Sequence, residues 1–242
     1  MGLTVHYCLA TDLKKPADIR TLVETVRQFC LDLPFKNVGE IKDFADADPD
    51  PDDEGDRWLR IQADGHVETK GHYYRIPAKR AIAFSTWPGE GCEPANLGFS
   101  QYPAYLSVDG KRIATKLKGW AWSSFCKTQY SSNPDCGGIE NFVRCHLLVI
   151  RTLDFIKGTG LIQVQVNDEA KYWEQRDLPA LVKEIGSWNE FMAGFTNQLR
   201  EAAEGGDGHA IEAAITRFPN FEHLEAKGLE RLAKLRGKNH GG

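Results

Sequence analysis

A membrane-spanning helix needs ~20 consecutive apolar residues, and no run in the 242 residues approaches that length. The opening stretch, Met1-Gly2-Leu3-Thr4-Val5-His6-Tyr7, has neither the basic nor the long apolar region of a secretory leader. The expectation is a cytoplasmic chain that does not engage a membrane. Excess positive charge is also missing. The formal net charge is −4, which argues against a broad nucleic-acid footprint, so no nucleic-acid partner is predicted.

Glycines are plentiful, yet they form no Gly-Lys-Ser/Thr phosphate cradle and no strand-glycine-helix dinucleotide pattern. The cofactor is accordingly unknown. The six cysteines (Cys8, Cys30, Cys92, Cys126, Cys136 and Cys145) are scattered and show no framework of the small secreted kind, which predicts free thiols. A zinc site built on Cys126, Cys136, Cys145 and His146 would lack the tight ligand pairs such sites use. The gaps there are nine and eight residues, so no metal site is expected.

Hydrophobic residues make up 41% and charged residues 26% of the chain. These are ordinary globular values, sufficient for a real core. Leu3 to Ala10 alternates as a strand, with Leu3, Val5, Tyr7 and Leu9 on one face and Thr4, His6 and Cys8 on the other. Pro16 opens a helix striped by Ile19, Leu22, Val23, Val26, Cys30 and Leu33, and a strand over 38–44 completes a β-α-β start.

Residues 45–56 read as an acidic loop insertion and Trp58 to Ala63 as a strand ending at an Asp64-Gly65 turn. Lys79 to Trp87 predicts another strand, and strands on either side of Asp109-Gly110 form a hairpin. Two segments, Trp87 to Pro103 and Gly119 to Tyr130, show no regular pattern and read as long aromatic loops. Further on, Ile139, Phe142, Val143, His146, Ile150 and Leu153 recur as a helical stripe, and Leu161 to Val166 as a strand. Asp177, with Pro179 behind it, caps a long helix striped by Leu181, Ile185, Trp188, Met192, Phe195 and Leu199. Two shorter helices follow, around 210–217 and 221–235.

The predicted class is therefore α+β: a mixed, mainly antiparallel sheet with helices on one face, a β-α-β start and a helical C-terminal third. Residues 1–204 form one domain in this reading, and 205–242 a helical extension packed on it.

Three functional readings follow. The first is a small-molecule binding protein. Its polar sheet face (Thr4, His6, Arg60 and Gln163) would be walled by Trp87, Trp120, Trp122 and Trp173, with Tyr172 and Arg176 contributed by the loop after the last strand. The second is a hydrolase. Cys126 would act as nucleophile with His146 as base and Asp168 as orienter, or the carboxylates Asp168 and Glu169 would divide acid and base roles. The third is a module that binds a protein partner through its C-terminal helices. Sequence spacing alone leaves open whether the chain is an enzyme.

Overall fold

The computed structural model describes residues 3–45, 52–69, 71–108, 110–117, 119–204, 215 and 221–239. Its organising strand is β1 (Thr4–Thr11), which pairs antiparallel on one side with β10 (Trp120–Lys127) and on the other with β11 (Gln163–Asp168). The main sheet continues through β7 (Ala95–Gln101) and β6 (Arg80–Trp87) to the short β2 (Asn37–Val38), with β3 (Lys42–Ala45) also on β6. Two small hairpins lie outside it: β4 (Gly65–Thr69) with β5 (His72–Ile76), and β8 (Tyr105–Val108) with β9 (Lys111–Ala114). Every pairing among the described residues is antiparallel. The α+β class with a mainly antiparallel sheet is thus as the sequence implies. Helix α1 (Pro16–Leu31) does follow β1, but the chain then crosses to the far end of the sheet, where β2 and β3 pair with β6.

Period-two alternation divides the sheet. Val5, Tyr7 and Leu9 point to a covered side, with Cys126, Ser124 and Trp122 opposite them on β10 and Val166 and Val164 on β11. Helices α1 and α3 (Gly138–Gly158) close this side through Ile19, Val23, Val26, Val149, Leu153 and Ile156. Phe29 and Phe155 stack between them at 4.0 Å. His6, Cys8 and Ala10 point the other way, to a side left open at this end of the sheet.

Strands β6 and β7 are buried more completely, because helix α2 (Glu54–Gln62) lies against them. The face toward α2 presents Ala81, Ala83 and Ser85 opposite Ser100, Gly98 and Asn96, small enough for a helix to approach. This corrects the strand expected over Trp58 to Ala63. Asp53 accepts from the Asp56 amide at 3.0 Å and starts a helix. Its buried residues, Leu59 and Ala63, are spaced by four and not by two. Residues 46–51 of the acidic run lie outside the described residues, and Asp53 to Asp56 belong to the cap and first turn of α2.

The two supposed aromatic loops are corrected as well, since each holds a sheet strand, β7 in one and β10 in the other. Ile139, expected on the buried stripe of α3, is exposed. The hairpin expected at Asp64-Gly65 lies further on, where β4 pairs with β5. No helix among the described residues is long and apolar enough to cross a membrane.

A four-residue helix, α4 (Tyr172–Gln175), leads to α5 (Leu178–Glu204), which Asp177 caps by accepting from the Ala180 amide at 3.1 Å. Leu181 and Ile185 bury against Leu3, Phe142 and Ala170. Helix α6 (Phe221–Asn239) packs on α5, with Leu224 and Ile215 against Ala193. Most of the helix expected over 210–217 falls outside the described residues. The α5–α6 crossing is glycine on glycine. A Cβ at Gly194 would lie 2.5 Å from the Gly228 carbonyl carbon, closer than any real contact. Replacing Gly194 by valine should therefore undock α6. Amide exchange within α6 should accelerate by at least about tenfold while β1 and β10 keep their protection, because such openings are local.

Candidate functional site

Register brings together what sequence separates. On the open side, Asn167, His6 and Phe125 align across β11, β1 and β10, followed by Gln165, Cys8 and Ser123 and then Gln163, Ala10 and Ala121. These side chains floor an open cleft of about 1290 Å3. Helix α2 forms one wall with Trp58 and Ile61, Tyr102 and Leu117 line it as well, and Glu93 and Pro94 stand at its rim. Two floor and wall rings keep much of their surface in solvent, with Phe125 45% and Trp58 62% exposed. The carboxamides of Gln163, Gln165 and Asn167 make no hydrogen bond among the described residues.

The cleft extends inward because β10 and β7 diverge. Only Trp120 and Ala121 of β10 remain paired with β7. Beyond them the Asn96 carbonyl would be orphaned, and two side chains satisfy it. The Tyr7 hydroxyl donates to it at 2.7 Å and the Trp122 indole at 2.8 Å. Burial pushes the Tyr7 hydroxyl far above its ordinary pKa, so it remains a donor. Gln62 of α2 bridges the gap, donating to the Ser124 hydroxyl at 2.7 Å and accepting from the Asn96 amide.

Two carboxylates line the cleft, Asp64 and Glu93. Asp64 is ion-paired with Arg75 and accepts from the Ala78 amide at 3.1 Å. His6 lies 3.8 Å from Glu169.

A second polar cluster lies on the covered side. Asp168 faces α3 there, and its Oδ2 is 3.2 Å from His146 Nε2. His146 Nδ1 is 3.1 Å from the Thr128 hydroxyl. The amides of Ala170 and Trp173 each donate to Asp168 at 2.9 Å. Burial opposes ionisation of Asp168, but the His146 bond and charge and the two amides outweigh it and hold the carboxyl below its ordinary value. Thr128, His146 and Asp168 line up as a nucleophile, base and orienter would. All three are sealed from solvent, at 0%, 0% and 3% exposure. Their geometry therefore ties α3 to the end of β11 and to the α4 turn.

Comparison with protein-family models, with curated proteins and with solved structures finds no match to this chain. No group of three or more His, Cys, Asp or Glu side chains able to hold a metal ion occurs among the described residues.

Of the residues singled out from sequence, His6, Trp122 and Gln163 reach the cleft. The others lie elsewhere. Trp120 is fully buried in the core, and the Trp87 indole donates to the Cys92 carbonyl at 3.2 Å beneath Lys36. Arg60 reaches back along α2 to the Ala45 carbonyl at 3.3 Å. Tyr172 and Trp173 pack at the edge of the core. Arg176 stacks over Trp173 at 4.6 Å and pairs with Asp154 at 2.6 and 2.7 Å. Cys126 is buried and donates to the Glu93 carbonyl at 3.1 Å. Burial, with Glu93 adding to it, pushes its thiol well above the ordinary range. Glu169 accepts from the Thr4 amide at 3.0 Å, extending the strand pairing. The single shared pocket expected for Trp122, Cys126, Asp168 and Trp173 is therefore not what forms.

Sequence reasoning passed over Phe125, Ser123, Trp58 and the Gln165–Asn167 pair as site residues. Their signal was available in the polar half of each strand's alternation, once β10 is read as a strand.

The Asp168 cluster makes a prediction. Removing the carboxylate with Asp168→Ala leaves His146 and two buried amides without an acceptor and should cost about 2–4 kcal/mol in urea unfolding at pH 7. Because the folded value lies below the ordinary 3.8, the stabilisation is complete above that range and is lost as pH falls through it. Asp168→Asn should thus be less stable than wild type at pH 7 and show a shallower loss of stability from about pH 5 downward.

Proposed function

We propose that the chain binds a small uncharged molecule bearing a planar ring, seated in the cleft between the open sheet face and α2. One observation carries this reading: exposed ring faces and unengaged carboxamides converge in a single concavity. Phe125 and Trp58 offer surfaces on which a flat ring stacks. Gln163, Gln165 and Asn167 offer both donors and acceptors, as the polar edge of a heterocycle or amide requires. Most pockets that hold small ligands combine apolar walls with a few such polar groups. Asp64 is paired with Arg75 and Glu93 stands at the rim, so the floor itself carries no carboxylate.

The hydrolytic reading draws no comparable support. Cys126 is buried as a protonated thiol, Asp168 is enclosed with His146, and Glu169 is engaged by the Thr4 amide. On the C-terminal helices Leu224 turns inward onto α5, while Leu178, Val182 and Phe195 are the exposed apolar side chains of α5 among the described residues.

The test is a thermal-shift screen of the purified chain against uncharged heterocycles, with nucleobases, nucleosides and aromatic amides as the core of the panel. A ligand at 100 times its dissociation constant adds ~2.7 kcal/mol of stability. Phe125→Ala and Gln165→Ala should each weaken a hit by roughly 5–30-fold, the value of one stacking or one buried hydrogen-bond contact. Tyr73→Ala, at an exposed position on β5, should leave it unchanged. A panel that shifts nothing, or a hit indifferent to both cleft substitutions, would remove the proposal.

A further inference from the structure

The main sheet ends on β11, and the ladder to β1 shows which backbone groups its outer edge presents. The Glu169 amide donates to the Thr4 carbonyl at 3.1 Å, so Thr4 and Glu169 form a hydrogen-bonded pair. Along an antiparallel ladder such pairs recur at every second residue. Asn167–His6, Gln165–Cys8 and Gln163–Ala10 are therefore the bonded pairs. The amides and carbonyls of Val164 and Val166 point the other way, out of the sheet. They meet no partner among the described residues.

Proteins usually guard such an edge with lysine, proline, a bulge or a covering segment. Strand β11 reads Gln163-Val164-Gln165-Val166-Asn167-Asp168, without proline or cation, and it pairs with β1 residue for residue, without a bulge. Its one charged side chain, Asp168, is turned inward to His146. Helix α4 bonds to the strand at Asp168, beyond both valines. Val164 and Val166 face the helix layer yet stay half-buried, whereas Val5, Tyr7 and Leu9 on the same face of β1 are fully buried. The difference is that β11 has a neighbouring strand on one side only.

From this edge we infer that β11 pairs antiparallel with β11 of a second copy of the chain, across a two-fold axis at Gln165. The occupant follows from the strand itself. Gln163-Val164-Gln165-Val166-Asn167 reads nearly the same in both directions, as a contact between identical surfaces requires. With Gln165 opposite its own copy, Val164 of each chain meets Val166 of the other. Each outward valine amide donates to the carbonyl of the facing valine, which closes four hydrogen bonds. Gln163 then lies opposite Asn167 of the second copy, and every carboxamide pair can both donate and accept. No like charges face each other, so the strand is electrostatically complementary to itself. An unrelated peptide would require no such symmetry of β11, and the second copy is favoured for that reason. One strand pair covers less than the ~1200 Å2 of a standard interface, so the dimer is transient and concentration-dependent. The inference does not rest on the cleft ligand, because it draws on the backbone of Val164 and Val166.

The experiment follows residue-resolved amide exchange of the full chain with rising concentration, alongside sedimentation velocity. In dilute solution the Val164 and Val166 amides should exchange freely, while those of Gln165 and Asn167 stay protected by β1. At high concentration the two valine amides should slow at least about tenfold as sedimentation shifts to a dimer. Val166→Pro removes an amide that the β1 ladder does not use, so the fold is kept and association should weaken at least about tenfold. Gln165→Lys and Gln165→Glu should each weaken self-association about 2–5-fold, and mixing the two variants should restore it, because their charges meet at the axis. A chain that stays monomeric up to ~1 mM overturns the inference. So does a dimer whose Val164 and Val166 amides remain unprotected, protection of both amides already in the monomer, or a mixture that restores nothing.

Discussion

Strand β1 is hydrogen-bonded on both edges and therefore has no freedom of register. A slip by one residue would turn Val5, Tyr7 and Leu9 out to solvent and bring His6 and Cys8 into the core. That constraint fixes more than one strand. Through the same ladders it places Trp122 and Cys126 beneath the helices, Phe125 and Ser123 in the cleft, and Asp168 against α3. The core and the cleft are two faces of one alternation, and neither can change without the other. The buried His146–Asp168 contact then joins α3 to the far end of β11, so the helix layer and the open floor share an anchor.

Divergence of β10 from β7 is the feature that turns a flat polar face into a concavity. A sheet that kept its pairing would leave no space there, and an unpaired carbonyl in a buried gap is costly. The chain resolves this with side chains, using Tyr7, Trp122 and Gln62 to satisfy the groups that strand pairing abandons. Each is a neutral donor or acceptor, which avoids the larger desolvation cost of burying an ion. The fold thus repairs its own discontinuity without placing a charge there.

Much of the scaffold can be read from the sequence, and the reason is local. The stripe of α1, the alternation of β1 and the Asp177 cap with Pro179 are contained within a few residues each. Strand β10 resisted the same reading because its pattern is mixed. Ser124 faces the covered side and Phe125 the open one, against the usual sorting of polar and apolar residues. Helix α2 was obscured in the opposite way, since Trp58, Arg60 and Gln62 alternate with Leu59 and Ile61 as strand residues would. There the Asp53 cap and the single buried pair Leu59 and Ala63 decide the outcome. The site was harder still. Its floor is assembled from three strands distant in sequence, and which residues become neighbours depends on register, a non-local property. His6 could be proposed from its place on a polar face, but its alignment with Phe125 and Asn167 could not.

The thiols show how far identical chemistry can be separated by packing within one chain. Cys126 and Cys145 are both enclosed, yet burial raises one while the Cys92 thiol and the Arg144 guanidinium lower the other. The difference comes from a single turn. Residues 88–92 are drawn onto α3 by Arg144 and Asn141, and the next two residues, Glu93 and Pro94, form part of the cleft rim. Glu93 also receives the Cys126 thiol at its carbonyl and has its amide on the Lys127 carbonyl at 3.0 Å. One short connection therefore touches helix α3, strand β10 and the mouth of the cleft. The position of the rim therefore depends on packing against α3, outside the cleft itself.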